Sequence, residues 1–262
     1  NLHIFSKFSL PRLGSFILAT MLRNKGWDVE VFMEERQKLK FDSMGDADII
    51  GISTITSTAP RAYAIADKFK EMGKTVIMGG PHVTFLPEEA LKHADFVVRG
   101  EGEDALSIFT HVWRFGGKYE DVPGLSWKKY GRIRHNPKSE MISDLDRLPF
   151  PDYTLSKKPF LAVANRNVIP IQTSRGCPFD CSFCSVTGMF GKKYRYRSIP
   201  NIIRELKQYD SRRNIIFFYD DNFTANRKHA KELLHAMIKE NFKFKWSTQV
   251  RVDIARDLLR SG

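Results

Sequence analysis

Apolar and polar residues change period several times along this chain, and the changes mark its elements. Asp28 to Glu34 (DVEVFME) alternates every second residue, as a half-buried strand does, and Ala47 to Thr56 (ADIIGISTIT) is a continuous apolar run of buried-strand type. Lys74 to Gly80 and Asp95 to Gly100 repeat that theme. Between them lie stretches of helical period: Ser15 to Lys25, Thr58 to Met72, Leu86 to Ala94 and Asp104 to Phe115, three of them stopped by a following glycine. In the second, Ala62, Ile65, Ala66, Phe69 and Met72 share one helical face, which predicts packing against a sheet. Strands alternating with helices predict a parallel, doubly wound, Rossmann-like sheet.

Leu125 to His135 (LSWKKYGRIRH) predicts a hairpin turning at Tyr130 and Gly131 that closes this first domain. The proline-bearing stretch Met141 to Pro159 predicts an interdomain linker. A second alternation follows: a strand at Val168 to Thr173, a cysteine loop, a helix near Pro200 to Tyr209, a strand at Asn214 to Asp220, a helix at Arg227 to Glu240, then a strand at Phe244 to Val250 and a helix at Ile254 to Arg260. The expected division is residues 1–140, a linker at 141–162, and 163–262. Three βα units are too few to close a barrel, so the second alternation reads as the first half of one. Asn1 to Gly14 is a poor strand, where a doubly wound domain normally opens with one. The expectation is therefore a piece of a longer protein whose opening strand lies upstream.

At 262 residues, 42% hydrophobic and 27% charged, the chain has the composition of a globular protein with a sizeable core. It has neither a run of apolar residues long enough to span a membrane nor a secretory signal pattern, which points to a cytoplasmic enzyme. The formal charge is +12, and the stretch from Ser185 to Gly262 holds 17 basic against 8 acidic residues. A basic third of this kind suits a polyanion or an acidic protein. These charges lie mainly on predicted helices between apolar runs, the position of an ordinary solvated face, so nucleic acid is the less favoured partner.

All three cysteines, Cys177, Cys181 and Cys184, fall in one loop, SRGCPFDCSFCSVTG. Three thiols cannot pair without a remainder. Structural zinc favours four closed ligands, often on two CxxC knuckles, and the sequence has no second knuckle. Three thiolates on a cubane iron–sulfur cluster leave one iron open to a substrate, which suits the trio better.

The pattern Cys177, Cys181, Phe183, Cys184 resembles the CxxxCxΦC hallmark of the radical S-adenosylmethionine (SAM) superfamily, and it follows the first strand of a βα series as that motif does. The resemblance implies a partial (β/α)6 TIM-type barrel and a [4Fe-4S] cluster whose open iron takes SAM by its amino and carboxylate groups. One electron then cleaves the sulfonium to methionine and a 5′-deoxyadenosyl radical that abstracts hydrogen from substrate. It places Phe183 near adenine, and Asp220 and Asp221, after the second strand, near SAM's ammonium, although the family's glycines are missing there. The bland reading of these carboxylates is a helix N-cap, which Asn222 or Thr224 would also supply. Ser247, Gln249 and Arg251 share one side of the third strand, and the first two are further SAM candidates.

A doubly wound domain ahead of this motif resembles the cobalamin-binding class of the superfamily. Ligands of such sheets sit beyond the carboxyl ends of the strands. The cobalamin candidates are therefore Ser53 and Thr54 as donors, with Gly79, Gly80, Gly100 and Gly102 allowing close backbone approach. The sequence departs from the classical DxHxxG motif: with Gly14 aligned to its glycine, Pro11 takes the histidine position and Ser9 the aspartate position. His82 is the nearest alternative donor to cobalt, and a histidine there more often satisfies a turn.

These resemblances imply a cobalamin-dependent methyltransferase acting at an unreactive carbon or phosphorus centre of a small molecule, reduced by a flavodoxin or ferredoxin. Radical cyclisation or rearrangement, with or without cobalamin, is the alternative chemistry. A metal-stabilised nucleic-acid-binding module, using Tyr194 and Tyr196 with the basic third, is the alternative of another class.

Overall fold

A computed structural model of the chain describes residues 11–160 and 162–251. The poor strand at the N-terminus falls largely outside them, as do Ser9 and the helix expected at Ile254 to Arg260. The described residues form two compact units, one of residues 38–142 and one of residues 1–37 with 143–262. No helix among them is long and apolar enough to cross a membrane.

In the unit of residues 38–142, strands β1 (Ile49–Ser53), β2 (Thr75–Gly79) and β3 (Phe96–Val98) run parallel in that order, and the antiparallel pair β4 (Leu125–Lys129) and β5 (Arg132–His135) extends the sheet beyond β3. The expected hairpin turns at Tyr130 and Gly131, whose φ values of 50° and 74° are those of a type I′ turn. Side chains of β2 alternate between two cores: Val76 and Met78 join one with helix α2 (Ala59–Glu71), while Ile77 joins the other with helix α5 (Glu103–Phe115). Both faces of the sheet are thus covered, as a doubly wound fold requires. The predicted face of α2 is the buried one: Ala62, Ala66 and Phe69 are buried, with Ile65 and Met72 packed against them. A short helix α3 (Pro81–Phe85) precedes the helix expected at Leu86 to Ala94, which is shorter than expected, α4 (Pro87–Ala90); the two meet at Leu86, and proline takes the first position of the second.

The expected strand at Asp28 to Glu34 does not form. Its alternation is real, since Val31 and Met33 are buried and Asp28, Glu30 and Glu34 are exposed. Across to another segment this stretch makes one backbone bond, from Val31 N–H to Leu155 O at 2.7 Å; its other bonds close the turn in which Met33 O accepts the Arg36 and Gln37 N–H groups, and no ladder forms. Helix α1 (Leu13–Asn24) likewise packs with the later part of the chain. Leu13, Phe16, Ile17 and Ala19 enter the core that holds Tyr153, Ile169 and Ile171, and the Phe16 and Tyr153 rings lie 4.9 Å apart. Thr20 Oγ1 accepts the Asp152 N–H at 2.8 Å, and Arg23 pairs with Asp152. The compact units therefore divide the chain differently from the expected 1–140 and 163–262, because the apolar face of α1 finds its partners in the segment read as linker.

The same unit contains strands β6 (Ala162–Val163), β7 (Arg166–Ile171), β10 (Asn214–Phe218) and β11 (Lys245–Thr248), ordered β11-β10-β7-β6, with β7, β10 and β11 parallel. Helices α7 (Ile199–Leu206) and α8 (Arg227–Lys239) connect the parallel strands, which gives two complete βα units and a third strand. Ser198 caps α7, with Pro200 in its first turn, and Asn226 caps α8, so neither Asn222 nor Thr224 is the cap of that helix. A two-stranded ribbon of β8 (Ser174–Arg175) and β9 (Arg195–Tyr196) closes off the excursion between β7 and α7, which contains helix α6 (Val186–Phe190). All three cysteines lie in that excursion.

Replacing Phe16 by alanine removes a fully buried ring from the core shared by α1 and β7. Chemical denaturation followed by circular dichroism is expected to show a loss of about 3–5 kcal/mol.

Candidate functional site

The cysteine loop leaves the carboxyl end of β7 and returns through β9, and its shape is set by backbone. Gly176 has φ of 92°, and a Cβ there would meet Lys193 O at 2.5 Å, Gly191 O at 3.1 Å and Phe190 O at 3.2 Å. Only glycine fits this approach. The Cys177 N–H donates to Gly191 O at 3.2 Å, and the Cys184 N–H to Cys181 O at 3.0 Å. The thiols are all free; Cys177 and Cys181 are half-buried and Cys184 is exposed. Among the described residues no three His, Cys, Asp or Glu side chains gather around a single-ion position. A cubane differs from a single ion in placing each cysteine on a separate iron, and three reachable thiols on one backbone-fixed loop suit that donor set.

The base of the loop is tied to the neighbouring strand by Asp220. This carboxylate, 1% exposed, accepts the Thr173 N–H at 3.1 Å, the Thr173 hydroxyl at 3.0 Å and the Ser174 hydroxyl at 2.6 Å. Burial pushes its pKa up to about 6, against the pull of these hydrogen bonds. Its oxygens are turned inward, onto the end of β7. Asp221 is exposed. Asp221 thus keeps access to solvent where Asp220 has none, although partial burial pushes its pKa up as well.

The other SAM candidates lie at the surface. The Phe183 ring is 90% exposed. Ser247 pairs in register with Phe217, and Phe217 with Pro170, so these three share the face of the sheet opposite to Ile216 and Phe218, which are fully buried. Gln249 is exposed, and its carbonyl accepts the Phe223 N–H at 3.1 Å. Arg251 lies over the Phe179 ring at 3.8 Å, which brings the end of β11 to the cysteine loop. Sequence reasoning missed Tyr194 as part of this loop; its hydroxyl donates to the Asn222 carbonyl at 3.3 Å, tying the loop's return to the segment after β10. Its only signal was its place shortly after the third cysteine.

In the other unit the cobalamin candidates cluster at the carboxyl ends of β1, β2 and β3. Ser53 is exposed, and Gly100, at φ of 81°, has open space where a Cβ would stand. Gly102 precedes α5 as its N-cap residue. Thr54 is buried: its N–H donates to Gly79 O at 3.1 Å and its hydroxyl meets that of Thr58 at 2.9 Å. A Cβ on Gly80 would stand 2.6 Å from Thr54 O, so this glycine lets two strand ends close on each other, and a Cβ on Gly79 would lie 4.0 Å from Val98 O. His82 is buried, with Nε2 3.0 Å from the Tyr63 hydroxyl and Nδ1 3.3 Å from the Thr56 hydroxyl. Both ring nitrogens are thus engaged within the protein, the satisfied-turn role expected of a lone histidine there. Exposed Ser53 and the open backbone at Gly100 suit a ligand with a polar periphery, while Thr54 and Gly80 serve the loop itself.

Two family models match the chain in order: the B12 binding domain over residues 5–110 and the Radical SAM superfamily over residues 171–262. An uncharacterized methyltransferase of Pyrococcus horikoshii, PH0819, is 34% identical over 256 residues, covering 93% of this chain and 56% of that protein. Bacteriochlorophyllide d C-8(2)-methyltransferase of Chlorobaculum tepidum is 34% identical over 212 residues, covering 78% and 44%. The chain thus spans about half the length of the curated relatives it matches. Among solved structures, the radical SAM methyltransferase TsrM from Kitasatospora setae superposes with a TM-score of 0.72 at 17% identity, covering 88% of this chain and 49% of that one. That is a likeness of fold.

Two outcomes follow from this geometry. A carboxyl more basic folded than unfolded binds extra protons in the native state between its two pKa values. Stability is therefore expected to fall as pH rises from about 4 to about 6, and to level off above. Urea midpoints measured across that range should show this slope, and Asp220→Asn should flatten it. Gly176→Ala is expected to destabilise the protein by at least about 1–3 kcal/mol, the cost of a strained backbone site, in the same assay.

Proposed function

From membership of the radical SAM superfamily, with a B12-binding domain ahead of the radical SAM domain, we propose that this protein is a cobalamin-dependent methyltransferase acting at an unactivated centre of a small-molecule substrate. The observation that carries the reading is the cysteine loop: the chain's three cysteines all fall in the one excursion that leaves the carboxyl end of a parallel strand, where barrel sites are built. A curated relative named as a bacteriochlorophyllide methyltransferase supports the methyl-transfer branch.

The cofactors, when bound, supply a reducing electron for cleaving SAM and a transferable methyl group. Cys177, Cys181 and Cys184 hold the cluster. Gly176 and the ribbon of β8 and β9 fix the two ends of the loop that carries the three cysteines. Exposed Asp221 is the carboxylate free to take SAM's ammonium, while Asp220 positions the loop from beneath. Phe183 offers an exposed ring to adenine, and Ser247 and Gln249 offer polar groups on β11. In the other unit, Ser53 donates to cobalamin, Gly100 and Gly102 bring backbone close to it, and Thr54, Gly79 and Gly80 hold the loop ends in place.

Lys192 and Lys193 stand exposed beside the cysteine loop. They suit an acidic electron-donor protein such as a flavodoxin or ferredoxin, whose docking would weaken as salt rises.

Anaerobic purification of the full-length protein, with assay of iron, sulfide and cobalamin, tests the reading. Reduced protein given SAM is expected to release 5′-deoxyadenosine, and Cys181→Ala to lose cluster and cleavage together. SAM cleavage without any bound cobalamin after reconstitution would count against methyl transfer. Cleavage surviving in Cys181→Ala would remove that residue from the ligand set.

A further inference from the structure

Helix α3 follows the end of β2, and its side chains reach the loops beyond both neighbouring strands. His82 reaches one way. Its buried ring has Nδ1 3.3 Å from the Thr56 hydroxyl, in the loop after β1, and Nε2 3.0 Å from the Tyr63 hydroxyl and 3.4 Å from Glu89 Oε1. An ionised Glu89 carboxylate only accepts, so in the neutral ring the proton sits on Nε2, and Nδ1 accepts from the Thr56 hydroxyl. Tyr63 is itself fixed: it stacks on His93 at 4.3 Å and 12°, and His93 Nδ1 lies 2.9 Å from the Asp67 carboxylate. Thr84 reaches the other way. Its hydroxyl donates to Gly80 O at 2.9 Å and accepts the Gly100 N–H, in the loop after β3, at 3.0 Å.

One turn of helix thus joins the ends of all three parallel strands. Side chains are needed for this, because the backbone ladders stop at the Ser53–Gly79 and Met78–Val97 pairs. The loops so joined carry Ser53, Gly79, Gly80, Gly100 and Gly102, the residues assigned above to cobalamin. We propose that His82 and Thr84 are positioning residues for that cofactor, clasping the three loops together before it binds. This rests on the cobalamin reading above. Neither side chain is a ligand: both nitrogens of His82 and both capacities of the Thr84 hydroxyl are used within the protein. Loops left free would have to be ordered by the cofactor, and that cost weakens affinity. A clasp formed on folding removes it from the binding step.

The test measures the dissociation constant of the full-length protein for hydroxocobalamin by equilibrium dialysis. Thr56→Val, Thr84→Val, Thr56→Ser, Thr84→Ser and Thr110→Val are compared with wild type. Valine keeps the shape of threonine without its hydroxyl, and serine restores the hydroxyl. The Thr110 hydroxyl bonds within its own helix, to Leu106 O at 3.0 Å and Ser107 O at 3.2 Å, and so controls for general destabilisation. Thr56→Val and Thr84→Val are each expected to bind about twofold to tenfold more weakly, the worth of one hydrogen bond. Both serine variants and Thr110→Val are expected to bind as wild type does. Thr56 is exposed, so Thr56→Val reads the His82 bond even where Thr84→Val does not fold. Valine variants that bind as tightly as wild type would overturn the assignment. So would serine variants as weak as the valine ones, or an equal loss in Thr110→Val. Wild-type protein that takes up no hydroxocobalamin would sink the cobalamin reading and this inference together, whereas unshifted valine variants beside a wild type that binds sink only the inference.

Discussion

The buried carboxylate of Asp220 is the tie on which the candidate site depends. Parallel strands bring β7 and β10 alongside each other, but backbone ladders stop at Ile171 and Phe218. Beyond that point one side chain gathers the Thr173 N–H and the hydroxyls of Thr173 and Ser174, and so fixes where the chain turns into the cysteine loop. In an environment of low polarity such a network is worth more than the same bonds in water, and leaving any member unpaired costs correspondingly more.

Above this tie the loop is shaped almost wholly by backbone. Gly176 lies against the carbonyls of residues 190 to 193, and the short ribbon of β8 and β9 closes the excursion. Phe183 and Cys184 stand exposed on this frame, while Lys192 pairs with Asp180 and Met189 is buried within it. A site that must present three thiols to a cofactor benefits from this arrangement, because the geometry is paid for in folding and not in binding. The other unit handles its strand ends in a related way. Gly80 lets the β2 end close on Thr54, leaving Ser53 and Gly100 as the open positions of that face.

Much of the architecture was legible along the chain because period and punctuation are local. The face of α2, the hairpin at Tyr130 and Gly131, and the order of strand and helix in both halves all follow from spacings of a few residues. The failures were of two kinds. Asp28 to Glu34 has the alternation of a strand, but a strand also needs a partner ladder, which only one bond to Leu155 supplies. Asp220 and Asp221 look equivalent as neighbours, yet adjacent residues leaving a strand face opposite ways, and one became a buried tie while the other kept access to solvent.

The sequence by itself determined the chemistry on offer: three thiols at fixed spacing, and parallel strands that carry their ligands at one end. Tertiary structure alone decided which residues serve that chemistry and which serve the frame. It joined α1 to the segment after the first sheet, engaged both nitrogens of His82, and tied Tyr194 to the Asn222 carbonyl. The partners of Asp220 lie 46 and 47 residues earlier in the chain. No local pattern encodes a contact at that separation, because it arises from the register in which two strands pair and from the burial that follows.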